Sequence, residues 1–287
     1  MKDHYETLKH RLARKQRNDL KKHKLKTPKP EYSDDELSDL LDGIFDGSIT
    51  EYDIPESLYF AIADYLKKGL YHGFGGSLED FEGSKDLELL TELRENVYMF
   101  SAAKSFTEIK ELRSMLIDDD GNLRDKKDFL FHAEQVAEVY NDAWARTEYH
   151  TAVFQAKEAV TWNSFEREKD IFPNLIYQTV GDACDICAPL DGLIAPVDDP
   201  IWNEITPQNH FNCECVLLQE DEEKEITPKD EKETTFNDVT DKMSDVFKMN
   251  AGKDRYIFSP EHPYFSVDKK DRDFAKNNYG LSIPDSD

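Results

Sequence analysis

Cys184-Asp185-Ile186-Cys187 and, further on, His210-Phe211-Asn212-Cys213-Glu214-Cys215 contain all four cysteines of the 287-residue chain. Thiolates are soft donors with a short reach. A Cys-x2-Cys turn lets two sulfurs approach one ion, and Cys-x-Cys puts two side chains on one face when the segment is extended. Four sulfurs close a tetrahedral shell, so the spacing predicts a structural zinc site with Cys184, Cys187, Cys213 and Cys215 as the favoured ligands. His210 is a fifth candidate. It can replace Cys213 or Cys215, or donate a hydrogen bond to a thiolate from outside the shell, so four of these five residues are expected to hold the ion. The alternative is four free cysteines packed as small hydrophobes. A closed shell leaves no position for a reactive water, and the chain has neither His-Glu-x2-His nor the deaminase order of zinc motifs. No catalytic residue is assigned. A structural zinc supplies roughly 10 to 16 kcal/mol, comparable with a whole domain's stability of about 5 to 15 kcal/mol.

Outward from this stretch, Leu175 to Val180 reads as a strand entering the module and Val216-Leu217-Leu218 as a strand leaving it. Upstream, Lys126 to Glu168 has no proline or glycine and predicts a long helix, either continuous or broken in two. Its stripe is Phe129, Ala133, Val136, Tyr140, Ala143, Trp144, Thr147, Thr151, Phe154 and Glu158. Arg146 and Glu148 stand two apart, on different faces, and should therefore reach separate partners. Residues 86–116 are helical in pattern. A shorter helix follows the Ser33-Asp34-Asp35-Glu36 capping box, and another starts near Pro55. Gly73 to Ser77 is expected to be a flexible loop, and Asp118 to Asn122 a turn between helices rather than a calcium loop.

Charge divides the chain unequally. Residues 1–30 hold 11 Lys/Arg against 3 Asp/Glu, while the rest carries 25 basic and 58 acidic side chains. A basic arm bearing Arg11, Arg14, Lys15, Arg17, Lys21 and Lys22 suits contact with nucleic acid or a partner protein; the acidic body would repel a phosphate backbone. Clustered cysteines with none elsewhere argue against a secreted disulfide scaffold and for a reduced compartment. The start lacks the apolar core of a signal peptide, and no apolar run reaches 18 residues, so neither export by a signal peptide nor a membrane is expected. Residues 219–235, with 8 acids and 3 lysines, have the composition of a disordered linker. Beyond it an amphipathic helix carrying Phe236, Val239, Met243, Val246 and Phe247 and ending at Asn250-Ala251-Gly252, a strand-like Tyr256-Ile257-Phe258 and a last helix from Asp271 to Tyr279 are too poor in apolar residues for a core of their own, and should dock on something.

The ordered series Trp144-Ala-Arg146-Thr147-Glu148-Tyr149, Tyr177-Gln-Thr179-Val-Gly181-Asp182, Cys184-x2-Cys187, Leu190-Asp191-Gly192, Pro196-Val197-Asp198-Asp199-Pro200-x-Trp202, Pro207 and Asn212-Cys213-x-Cys215 resembles the Mu F-like minor head (head morphogenesis) proteins of tailed phages and prophages. The resemblance runs from about Phe129 to Leu218. Trp144, Arg146, Thr147, Glu148, Asp182, Asp191 and Gly192 are its structural motif residues. It implies a virion protein made in a bacterial host, working with the portal and capsid in head assembly and in DNA packaging or exit, with no small-molecule substrate. Two departures stand out: many members carry Arg and His where Cys184 and Cys187 stand, and Glu214 replaces a usual Arg.

These readings give a mainly α, α+β chain: a long-helix bundle followed by a small zinc-stabilised β module and an acidic, partly disordered C-terminal region. The expected divisions are a basic arm (1–30), a helical region (31–125), the head morphogenesis segment (126–218, with the zinc module at 180–218), an acidic linker (219–235) and a docking tail (236–287). The function read from them is that of a structural phage head protein. A nucleic-acid-binding zinc protein and a zinc-dependent or group-transfer enzyme are the alternatives.

Overall fold

The structure, a computed structural model, describes residues 30–278 except Asp182, Glu222 and Glu223. The basic arm, with Arg11 to Lys22, lies outside the described residues, as does Asp182. Helix α1 (Asp34–Asp46) opens with the expected capping box: the Ser33 hydroxyl accepts from the Glu36 backbone N–H while Glu36 accepts from the Ser33 N–H. Helix α2 (Glu56–Phe74) follows, then α3 (Asp86–Ser114), α4 (Lys126–Glu138) and α5 (Ala145–Glu168). Leu41, Ile44, Leu58, Leu66, Leu90, Leu93, Phe100 and Phe129 meet in one helical core.

Between α4 and α5 the chain makes a π-helical turn, Val139–Trp144. The buried series Phe129, Ala133, Ala137, Tyr140 resumes at Ala145, Tyr149, Ala152, Ala156 and Ala159. The step of five from Tyr140 to Ala145 is the spacing that a π-turn absorbs. It explains why the expected stripe fails in mid-course: Ala143 is exposed and Trp144 is 42% exposed. One extra residue in the turn rotates the buried face by about 100°.

Gly73 is part of α2 rather than of a flexible loop. A Cβ at Gly73 would lie 2.0 Å from the Val153 carbonyl oxygen, and one at Gly69 would lie 3.1 Å from that of Tyr149. These glycines let α2 and α5 cross with their backbones nearly touching. The helix ends at Gly75, whose φ of 100° is the left-handed conformation common at helix C-termini. Asp118 to Asn122 is the expected turn: Asp118 Oδ1 accepts from the backbone N–H groups of Asp120 and Asn122.

After α5 come β1 (Asn174–Gln178), β2 (Ile194–Pro196) and β3 (Val216–Glu220), an antiparallel sheet in the order β2-β1-β3. Leu175 pairs with Ala195 on one side and with Gln219 on the other. The chain is thus mainly helical with a small three-stranded sheet, of which β1 and β3 correspond to the expected entering and leaving strands. Leu175, Tyr177, Leu190, Trp202, Ile205 and Leu217 form a second core together with Trp162 and Phe165 from the end of α5.

The stretch 219–235, read as a disordered linker, is held at both ends. Gln219 and Glu220 complete β3, and Lys229 opens helix α6 (Lys229–Thr240). Between them Thr227 exchanges two hydrogen bonds of 2.9 Å with the backbone of Ile194. This satisfies the free edge of β2, a structural return that composition does not encode. Helix α6 therefore begins and ends earlier than the one expected from Phe236 to Asn250-Ala251-Gly252.

The tail docks on the chain's own helices. Asn96 of α3 accepts from the N–H groups of Ile257 and Phe258 and donates to the Phe258 carbonyl, so Tyr256 to Phe258 is held by a side chain instead of pairing as a strand. Phe258 stacks on Phe100 at 3.7 Å. Short helix α7 (Ala251–Asp254) places Gly252 where a Cβ would sit 2.5 Å from that of Trp162. The described part of the tail ends in α8 (Arg272–Asn278).

Candidate metal centre

Each half of the cysteine cluster is set by a turn. Ala188 N–H donates to the Cys184 carbonyl at 2.8 Å, curling Cys184 to Cys187 so that both sulfurs face one side. On the other half, Cys213 N–H donates to the His210 carbonyl and Asn212 takes a left-handed φ of 62°, which Asn tolerates better than most residues. From Cys213 the backbone runs extended into β3, so Cys213 and Cys215 both point inward and are buried. Cys187 is buried too, and Cys184 stands at the exposed rim.

Two groups of donors result, Cys184, Cys187 and His210, and Cys187, Cys213 and Cys215, with the ligand atoms in each within 4.8 Å of one another. Cys187 belongs to both. Its sulfur lies 3.8 Å from that of Cys213. For Zn–S bonds of about 2.3 Å a tetrahedral edge is about 3.8 Å, so this pair already has the separation a shared ion requires. Cys184 Sγ and His210 Nε2 are 3.2 Å apart, close to the about 3.6 Å expected for a sulfur–nitrogen edge. The donor set fits a metal ion, and these Cys/His groups can hold one.

The electrostatics of the cluster agree. Bonds from Cys187 and Cys215 draw the Cys213 thiol well below its usual range, while the bond with Cys213, the bond with Cys215 and burial push the Cys187 thiol up. Hydrogen bonding to Cys213 raises His210 to about 9. Three sulfurs this close cannot all ionise without a cation among them. His210 Nδ1 lies 2.9 Å from the Phe211 carbonyl, which can only accept. That contact puts the proton on Nδ1, and in the neutral ring it leaves Nε2 as the free lone pair facing the cluster.

Two neighbours were not foreseen. Tyr177, next to the end of β1, is fully buried and its hydroxyl lies 3.6 Å from Cys187 Sγ and 3.0 Å from the Asn209 amide. Glu158, on α5, is buried near Cys213, and burial pushes its carboxyl up to about 8. The signal for Tyr177 was the polar tip of an aromatic inside a strand, and that for Glu158 was its place on the mostly apolar stripe of the long helix.

The helical motif residues lie apart from the cluster. Arg146 Nε pairs with Asp142, one turn back, whereas Glu148 takes an ion pair from buried Lys104 at 2.5 Å and a hydrogen bond from Tyr264 at 3.3 Å. Arg146 and Glu148 do reach separate partners. Thr147 bonds back to the Ala143 carbonyl, and Trp144 packs its ring against Tyr140 at 4.7 Å. Asp191 accepts from both the backbone and the hydroxyl of Thr179 at 2.8 Å, and Gly192, with φ of 80°, donates to the Tyr177 carbonyl. Asp191 and Gly192 therefore close the loop that carries Cys187.

A mainly helical protein with a Cys/His cluster at one end of its central helix is the class that fold and site define. Residues 91–218 match the family described as Phage Mu protein F like protein. The match ends where the motif resemblance ends and starts earlier, within α3. The family suggests a structural protein of phage head morphogenesis, associated with other head components in the virion. Neither the curated proteins nor the solved structures contain a match to the chain. Among the described residues no helix is long and apolar enough to cross a membrane.

Proposed function

We propose that the chain is a minor structural protein of a tailed-phage head, acting with the portal and capsid in head assembly and in DNA packaging or exit, and that it carries one structural zinc. Four of Cys184, Cys187, His210, Cys213 and Cys215 hold the ion, the cysteines being favoured. The observation that carries this reading is the convergence of both cysteine pairs on Cys187 within a segment that matches a phage head family. Bound there, zinc neutralises the thiolates and closes their shell. The chain's own residues orient the ligands: the Ala188 and Cys213 turns set the sulfurs, and the loop closed by Asp191 and Gly192 holds Cys187 against β1. Residues 126–218 form the head morphogenesis unit in this reading, with 180–218 as its metal module. The basic arm touches DNA or the portal, and no residue is assigned a catalytic role.

Elemental analysis of reduced, chelator-free protein should find about one zinc per chain, and Cys187→Ser should release it and increase hydrogen exchange across residues 180–218. Purified particles should contain the protein, and it should co-purify with a portal. Absence of zinc from the wild type removes the metal reading, and absence from particles removes the head-protein reading.

A further inference from the structure

We propose that Tyr177 is a positioning residue for the metal centre, donating its phenolic hydrogen to the Cys187 thiolate. The inference deepens the zinc reading above and rests on it. Tyr177 is built into the sheet on both sides. Its N–H donates to the Leu193 carbonyl, its carbonyl accepts from Gly192, and it pairs with Leu217, two residues beyond Cys215. The backbone of this one residue thereby joins the loop that follows the first cysteine pair to the strand that follows the second.

The side chain repeats that junction at the ring tip. Asn209 Nδ2, which can only donate, lies 3.0 Å from the Tyr177 oxygen and occupies one of its lone pairs. A metal-bound thiolate can only accept, so across the 3.6 Å contact with Cys187 the hydroxyl must be the donor. Asn209 comes from the chain just before His210, and Cys187 from the opposite half of the cluster. Tyr177 and Asn209 are both fully buried, so bulk solvent does not reach these bonds. The bond also falls on the sulfur that belongs to both groups of ligands. A donor there withdraws charge from the sulfur through which the two halves are linked and fixes the direction from which it faces the ion.

The test uses the full-length protein, as wild type, Tyr177→Phe and Asn209→Leu. Zinc affinity is read by chelator competition, and the thiolate-to-metal charge-transfer band is read after cobalt substitution. Tyr177→Phe keeps the ring and removes the donor. It should still bind one metal, with affinity lowered about tenfold, and its charge-transfer band should move to longer wavelength because the sulfur electrons are no longer stabilised by the hydrogen bond. Loss of sheet stability alone would not move that band. Asn209→Leu leaves the hydroxyl without its orienting donor and should shift both readouts in the same direction by less; it supplies the answer if Tyr177→Phe does not fold. Wild type that binds zinc together with variants of unchanged affinity and band position would overturn the role of Tyr177. Wild type that binds no metal would instead remove the zinc reading beneath it.

Discussion

Glu108 offers a test of the helical core that is independent of the metal. It lies on α3, fully buried, with Oε1 accepting from the Asn141 amide at 2.7 Å. Glu108 Oε2 and Asn141 Oδ1, both buried, have no hydrogen-bond partner. A proton on Oε2 supplies the donor that this pair of acceptors lacks, turning carboxyl and amide into a mutually satisfied pair. Burial pushes the Glu108 carboxyl up from 4.5 to about 8, against the opposing pull of Lys104 and of the Asn141 bond. Between those two values the folded chain holds a proton that the unfolded chain has released, so stability falls as pH rises, by about 1.4 kcal/mol per pH unit from this group. Glu108→Gln puts an N–H where the proton was and removes the titration. The variant should match the wild type near pH 4.5 and exceed it by roughly 3 kcal/mol at pH 7, with the gap widening until about pH 8. Urea unfolding at a series of pH values reads the gap as a difference of extrapolated stabilities, and the other titrating groups cancel to first order between the two proteins. Stability curves for the two proteins that run parallel from pH 5 to 8 would refute the reasoning.

Three further outcomes follow from packing. Gly73→Ala places a methyl against the Val153 carbonyl, so α2 and α5 must separate; thermal unfolding should show a loss of about 1 to 3 kcal/mol, or more if the crossing cannot relax. Lys104→Met removes the cation from buried Glu148 and should cost about 3 to 5 kcal/mol, much of it regained in Lys104→Met with Glu148→Gln; equal losses in the single and double variants would contradict this account of the ion pair. Asn96→Ala leaves the N–H groups of Ile257 and Phe258 without their acceptor, and hydrogen exchange at these two amides should accelerate while that of β1 does not change.

The parts legible in the sequence were those set by local rules. Ser33 and Glu36 announce a helix start because both bonds of the capping box lie within four residues. The cysteine spacing announces convergence because a turn and an extended segment have few geometries. What sequence reading missed depends on partners distant in the chain. Gly73 looks like loop material until Val153 is placed against it. The π-turn at Val139–Trp144 shifts the buried face within a run whose composition is uniformly helical. Thr227 sits in an acidic stretch whose charge argues for disorder, yet two hydrogen bonds to Ile194 hold it at the edge of β2. Tyr177 reads as a core aromatic; its hydroxyl gains a role only when Cys187 and Asn209 arrive from either side.

The position of α5 makes the cysteine cluster more than a local staple. Tyr149, Ala152 and Ala156 belong to the helical core, Trp162 and Phe165 to the core of the sheet module, and Glu158 lies between them near Cys213. The tail closes the same junction from outside. Asn250 donates to the Trp202 carbonyl in the module, Gly252 lies against Trp162, Lys253 sits 4.7 Å above the Trp162 ring, and Phe258 stacks on Phe100 in the helical core. A helix running through both cores and a strap bridging them leave the module little freedom to move as a separate body. Loosening the cysteine loops should therefore be felt at Trp162 and along residues 250–258 as well as in the sheet. In the Cys187→Ser protein, hydrogen exchange should rise there too while α1 stays protected; a rise confined to 180–218 would mean that the strap holds independently of the cluster.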